Sequence, residues 1–165
     1  KDFVDKIIAA VESKQNKNFL IIARVEALIS GMGMDEALKR ASAYERAGAD
    51  AILIHSKQKT PDEIFQFMEL WNGKIPIVVV PTTYDTVKID DLTAHKIKFV
   101  IYANQTLRAS YASMSELLSK LVNAESINEV NDMMVSMNDI FRLQDMYDTQ
   151  IEEKELNDKS KQLGH

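Results

Sequence analysis

The residue types best suited to chemistry stand directly after short apolar runs. Phe19 to Ile22 is followed by Arg24 and Glu26, Ala51 to Ile54 by His55 and Ser56, Ile77 to Val80 by Thr82 and Thr83, and Phe99 to Tyr102 by Asn104. Residues two apart on an extended strand share a face, so Arg24 stands with Glu26 and Leu53 with His55. A guanidinium offers a planar fork suited to carboxylate or phosphate, and an imidazole offers a hydrogen bond or a charge adjustable near neutral pH. Together they predict an anionic substrate. The same residues also have plain structural uses. Arg24 and Glu26 could simply pair, a strand-end histidine can be satisfied by its surroundings, and Thr82, Thr83 and Asn104 are types that satisfy turn backbone. Pro81 reads as a strand terminator, Met32 and Met34 as packing groups, and His95 and the terminal His165 as solvated.

Other chemistries are excluded. No HExxH, Walker loop or nucleophile-elbow sequence occurs, and no strand end carries the paired carboxylates that suit magnesium. The absence of cysteine removes disulfides, thiolate catalysis and cysteine-ligated zinc, and fits a reducing cytoplasm. With a net charge of -5 and basic residues scattered among acidic ones, there is no footprint for nucleic acid. No apolar run approaches the roughly 20 residues of a membrane span. The start, Lys1-Asp2-Phe3-Val4, has neither a signal-peptide pattern nor an initiator methionine, and reads as the middle of a longer chain.

The elements that must position these groups follow from periodicity. Phe3, Val4, Ile7, Ile8 and Val11 recur at helical spacing before the polar break Lys14 to Asn18, and Phe19 to Ile22 reads as the first strand. Leu38, Ala41, Tyr44 and Ala47 give a second helix its face, begun by Asp35 and Glu36 and ended by Gly48. Ala51 to Ile54 has the continuous apolar character of a buried parallel strand, and Thr60-Pro61-Asp62-Glu63 reads as a capping box opening a helix with Ile64, Phe65, Met68 and Trp71 inward. Strands at Ile77 to Val80 and Phe99 to Tyr102 flank a short helix near Asp90 to Lys96. Leu107, Tyr111, Met114, Leu118 and Leu121 mark a long amphipathic helix. Ser136 with Asp139 signals another, carrying Ile140, Leu143 and Tyr147 on one face, and from about Glu152 the chain is polar.

Four repeats of strand, loop and helix require parallel crossovers, which sets the class as α/β. The Gly31-Met32-Gly33 loop does not match the phosphate turn of an open doubly wound sheet, so a barrel is the better reading, with chemistry at the C-terminal ends of its strands. Four strands fill half of an eight-stranded barrel. Residues 1–151 are therefore expected to form a half (β/α)8 barrel with C-terminal helices, and 152–165 a polar tail.

Three segments then carry a family resemblance: Ala23-Arg24-Val25-Glu26-Ala27-Leu28-Ile29, Gly31-Met32-Gly33-Met34-Asp35-Glu36-Ala37-Leu38-Lys39-Arg40-Ala41, and Gly48-Ala49-Asp50-Ala51-Ile52-Leu53-Ile54-His55-Ser56-Lys57. This ordered set resembles the isocitrate lyase and phosphoenolpyruvate mutase superfamily, in the branch acting on phosphonopyruvate, and the likeness continues through Pro76 to Tyr84, Ile101 to Ser110 and Ile140 to Gln144. The resemblance implies the C-terminal half of a (β/α)8 barrel, oligomeric as a dimer or tetramer, acting on a small anionic three-carbon substrate. By position it makes Arg24 and His55 the catalytic, substrate-contacting pair, with Glu26, Ser56 and Asn104 as further substrate-binding groups. It also implies Mg2+, whose ligands lie outside this sequence, so that the segment alone should be inactive.

Two activities fit the resemblance. A mutase interconverts phosphoenolpyruvate and phosphonopyruvate; a hydrolase gives pyruvate and phosphate. His55 to Ile64 looks hydrolase-like, while Ile101 to Asn104, Leu107 to Ser110 and Phe141 to Gln144 look mutase-like, which favours the mutase. A third reading of another class is a non-catalytic α/β half-barrel module.

Overall fold

The computed structural model describes residues 2–164. His165 lies outside the described residues. The chain divides into two compact units, Lys1–Asn104 and Gln105–His165.

In the first unit four parallel strands stand in sequence order: β1 (Ile22–Val25), β2 (Ala51–Ile54), β3 (Ile77–Val79) and β4 (Phe99–Val100). Helices α1 (Asp2–Glu12), α2 (Met34–Arg46), α3 (Asp62–Leu70) and α4 (Ile89–Ala94) precede or separate them. This is the expected α/β architecture. The alternation of side chains divides the sheet into two faces. Ala23, Val25, Ile52, Ile54, Ile77 and Val79 pack with Ile7, Ala37, Ala41, Ile64 and Phe67 into the main core. Ala51, Leu53, Val78 and Val80 form a second, smaller cluster from the opposite face. Strands β2 and β3 are thus buried on both faces, which is why they read as unbroken apolar runs.

β1 lies three residues later than the apolar run predicts. Phe19 and Leu20 are exposed, and the ladder begins only at Ile22, paired with Ala51. The incoming chain is anchored just before it: the Ile21 amide donates to the Asp50 carboxylate at 2.7 Å and the Ile21 carbonyl accepts the Asp50 amide at 2.8 Å. Arg24 therefore belongs to the strand itself rather than to its trailing loop. β4 is shorter than expected, two residues instead of four, with Ile101 and Tyr102 beyond it and exposed.

The expected capping box before α3 is not formed. Pro61 occupies the cap position without a side-chain bond, its carbonyl accepts the Ile64 and Phe65 amides at 2.9 Å, and Thr60 Oγ1 bonds to the Asp62 carboxylate. Proline lacks an amide and fixes its own φ, so it starts the helix without help. Glu63 is left for another partner. His95, expected to be solvated, stacks on Phe65 with ring centroids 3.7 Å apart, and its Nδ1 bonds the Asp91 carbonyl at the end of α4.

In the second unit α5 (Gln105–Leu121) has no buried residue, and Leu107, Tyr111, Met114 and Leu118 are all exposed. A 3-10 helix, Ile127–Met133, opens on a capping box between Ser126 and Glu129 that the sequence reading passed over. The Ser136 cap is present, its hydroxyl accepting the Asp139 amide, and begins α6 (Met137–Leu143). The single face through Tyr147 is not realised: Asp145 takes a left-handed φ of 52°, and α7 (Met146–Gln162) starts afresh. Tyr147 returns to α6 instead, packing edge-on against Phe141 and donating its hydroxyl to Asn138. No described helix is long and apolar enough to cross a membrane.

Candidate active site at the strand ends

In the β1 to β2 register Arg24 is paired with Leu53, and Leu53 with Val78 in the next strand. One pleat further along the same face come Glu26, His55 and Val80. Arg24, Glu26 and His55 thus converge at the C-terminal ends of adjacent strands, on the face opposite the main core. The face is open: the Arg24 and Glu26 side chains are 49% and 44% exposed.

Arg24 and Glu26 do form the pair that their spacing permits, through Nε and Oε1. That bond ties one edge of the half-exposed guanidinium to its strand neighbour.

His55 is half-buried, and its Nδ1 is buried without a hydrogen-bond partner. Burial lowers the imidazole below its ordinary value, the Arg24 charge lowers it further, and the Glu26 carboxylate opposes both. The fold thus favours the neutral ring, and leaving the buried Nδ1 unsatisfied is costly.

Ser56 is placed differently from a rim hydroxyl. It is fully buried, donates to the Glu63 carboxylate, and accepts the Gln58 amide at 3.0 Å. Alternation along the chain turns it away from His55 and toward the helix layer. Thr83 donates its Oγ1 to the Ser56 carbonyl at 3.0 Å, and the Thr82 amide closes a tight turn onto the Val80 carbonyl. Asn104 is half-buried at the end of the first unit, at some remove in sequence from β4. Sequence reasoning missed Glu63 as the partner of Ser56, because its spacing from Thr60 pointed to a cap.

The described residues do not fit a magnesium site. No three of His, Cys, Asp and Glu group closely enough to hold an ion among them, and the Glu26 and Glu63 carboxylates are bonded to Arg24 and Ser56. A recess of about 430 Å³ between α1 and α2, lined by Phe3, Lys39, Arg40 and Tyr44 among others, mixes both charge signs and includes neither Arg24 nor His55.

The family described as phosphoenolpyruvate phosphomutase matches residues 1–122. A phosphonopyruvate hydrolase from Variovorax sp. (strain Pal2) is 46% identical over 145 residues, 87% of this chain and 50% of the relative. A phosphoenolpyruvate phosphomutase from Tetrahymena pyriformis is 44% identical over 143 residues, 87% of this chain and 48% of the relative. Among solved structures, a phosphonopyruvate hydrolase in complex with oxalate and Mg++ superposes with a TM-score of 0.86 at 44% identity, over 90% of this chain and 53% of that one. The chain spans about half the length of the curated relatives it matches.

Proposed function

Since this chain belongs to the phosphoenolpyruvate phosphomutase family, we propose that it is the C-terminal half of a (β/α)8 barrel enzyme that interconverts phosphoenolpyruvate and phosphonopyruvate, with Arg24 and His55 as its substrate-contacting pair. The observation that carries this reading is the shared sheet face: a half-exposed guanidinium and a half-buried imidazole at the ends of neighbouring strands.

The chemistry follows from the substrate. In phosphonopyruvate the phosphorus is bonded to carbon; breaking that bond leaves the electron pair on the pyruvate enolate, whose oxygen then bonds phosphorus to give phosphoenolpyruvate. No atom is gained or lost, so positioning and charge neutralisation carry the catalysis. Arg24 meets the negative oxygens with Nη1 and Nη2 while Glu26 holds its other edge. His55, its neutral form favoured by burial and by the nearby cation, adds a hydrogen bond from its ring N–H. Asn104 would complete the substrate contacts, whereas Ser56 would act from behind the rim. Magnesium would be held by ligands outside this chain and supply further charge neutralisation. The exposed apolar side chains of α5 support burial against more protein in a homo-oligomer.

A hydrolase, releasing pyruvate and inorganic phosphate, is the second reading, favoured by the 46% identity to the Variovorax hydrolase. Against it stand the segments Ile101 to Asn104 and Phe141 to Gln144, which look mutase-like. The deciding assay gives the full-length polypeptide phosphonopyruvate and Mg2+. Phosphoenolpyruvate as product supports the mutase, phosphate the hydrolase, and turnover to neither rejects both.

A further inference from the structure

Glu63 does not serve the helix that contains it. Sitting in the first turn of α3, it would ordinarily return to a backbone amide at the helix start; instead its carboxylate accepts the hydroxyl of Ser56, seven residues back and at the end of β2. Ser56 is the one fully buried polar residue of the described chain, and it is tied on every side. Its oxygen accepts the Gln58 amide at 3.0 Å, its proton goes to Glu63, and its carbonyl accepts Thr83 Oγ1 at 3.0 Å from the loop after β3. Anchors from α3, from its own loop and from the β3 loop therefore fix the peptide that directly follows His55.

A hydrogen bond to a carboxylate is among the stronger ones a hydroxyl makes, and burial removes the water that would compete with it. By contrast His55 itself has no internal bond at Nδ1 to fix its ring. Its direction at the rim must come from the backbone on either side: the β2 ladder before it and the Ser56 anchor after it.

We propose that Glu63 is a positioning residue, which acts through Ser56 to aim the His55 imidazole at the substrate, with Thr83 as a second anchor. The kinetic consequence rests on the functional reading above; the structural consequence does not.

The test compares wild type, Glu63→Ala, Glu63→Gln and Thr83→Val in the full-length polypeptide. Steady-state kinetics with phosphonopyruvate and Mg2+ are run beside imidazole NMR, with His55 assigned by its loss in His55→Asn. Glu63→Ala should lower kcat on the order of 10- to 100-fold, since a misplacement near 1 Å has that effect, with a smaller change in KM. It should also move the His55 resonances and their titration midpoint, where Arg24 and Glu26 are the neighbouring charges. Glu63→Gln keeps an acceptor for Ser56 and should recover most of both. A lowered melting temperature with unchanged kcat and unchanged His55 resonances would overturn the proposal, leaving Glu63 a scaffold residue. Should wild type turn over neither compound, the functional reading fails alone, and the resonances still decide: moved in Glu63→Ala supports positioning, unmoved rejects it. If Glu63→Ala does not fold, Thr83→Val is read by the same criterion.

Discussion

Arg24 and His55 share one face of the sheet on adjacent strands, and the charge of the first adds to burial in holding the imidazole of the second below its ordinary value of 6.5. Glu26, bonded to Arg24, pulls the other way. Two charged groups at one rim thus act on the imidazole in opposite directions.

Removing the arginine charge should raise the His55 midpoint part of the way toward 6.5, because burial, the larger cause, remains. Glu26→Gln should lower it further. The sign for stability is fixed by the neutral form being favoured in the fold: the contribution is intact above 6.5 and is lost as pH falls through the folded value. Arg24→Gln should therefore flatten the loss of stability below that pH. Imidazole NMR and pH-dependent denaturation measure the two effects; an unshifted midpoint would remove Arg24 from the electrostatics of the site.

Arg24→Ala in the full-length polypeptide should reduce kcat/KM by about 100-fold or more, equivalent to roughly 2.7 kcal/mol of transition-state stabilisation. Its melting temperature should hardly change, because the side chain is half-exposed and exposed ion pairs contribute little to folding. Unchanged kinetics would retire the assigned role.

Tyr84 is fully buried, and its hydroxyl makes no geometrically sound hydrogen bond. Burial pushes the phenol up to about 12, opposed only slightly by the nearby Val80 backbone. The raised value means that the stability it confers is complete below 10 and is lost as pH rises through about 12, on the order of 2 to 3 kcal/mol. Tyr84→Phe should abolish this alkaline loss and be neutral or stabilising by about 1 kcal/mol at neutral pH. Chemical denaturation at pH 7 and at alkaline pH tests both, and clear destabilisation at pH 7 would indicate a partner for the hydroxyl.

Asp50 starts β1 and β2 together: its carboxylate takes the Lys14 ammonium and the Ile21 amide. The Lys14 bond first, then the Ile21 amide, holds it below its ordinary 3.8, so its contribution is present above that pH and lost as pH falls through the folded value. Asp50→Ala should cost about 1 to 2 kcal/mol and make the unfolding curve less steep on the acid side. Asp50→Asn, which keeps an acceptor for Ile21, should fall between.

Gly48 has a φ of 95°, and a Cβ there would meet Val11 at 3.2 Å. Gly48→Ala should destabilise by roughly 1 to 2 kcal/mol through backbone strain alone. Adding Val11→Ala should relieve the contact but not the strain, so the double variant should not return to the stability of Val11→Ala by itself.

Much was legible in the sequence. Ala51 to Ile54 and Ile77 to Val79 announced themselves because strands buried on both faces admit only apolar residues. Arg24 and His55 stood out because polar groups at the ends of such runs mark the rim, and because their flanking residues resemble a family that residues 1–122 match. What the linear chain could not fix were the outcomes of competition between partners. β1 begins at Ile22 rather than Phe19, next to an Ile21 anchored on Asp50, and the Glu63 carboxylate meets Ser56 rather than its own helix start. His95 was drawn onto Phe65, and Tyr147 onto α6 across a left-handed Asp145. Periodicity records which side chains prefer burial. Which donor meets which acceptor depends on distances between segments far apart in the chain, and only folding sets those.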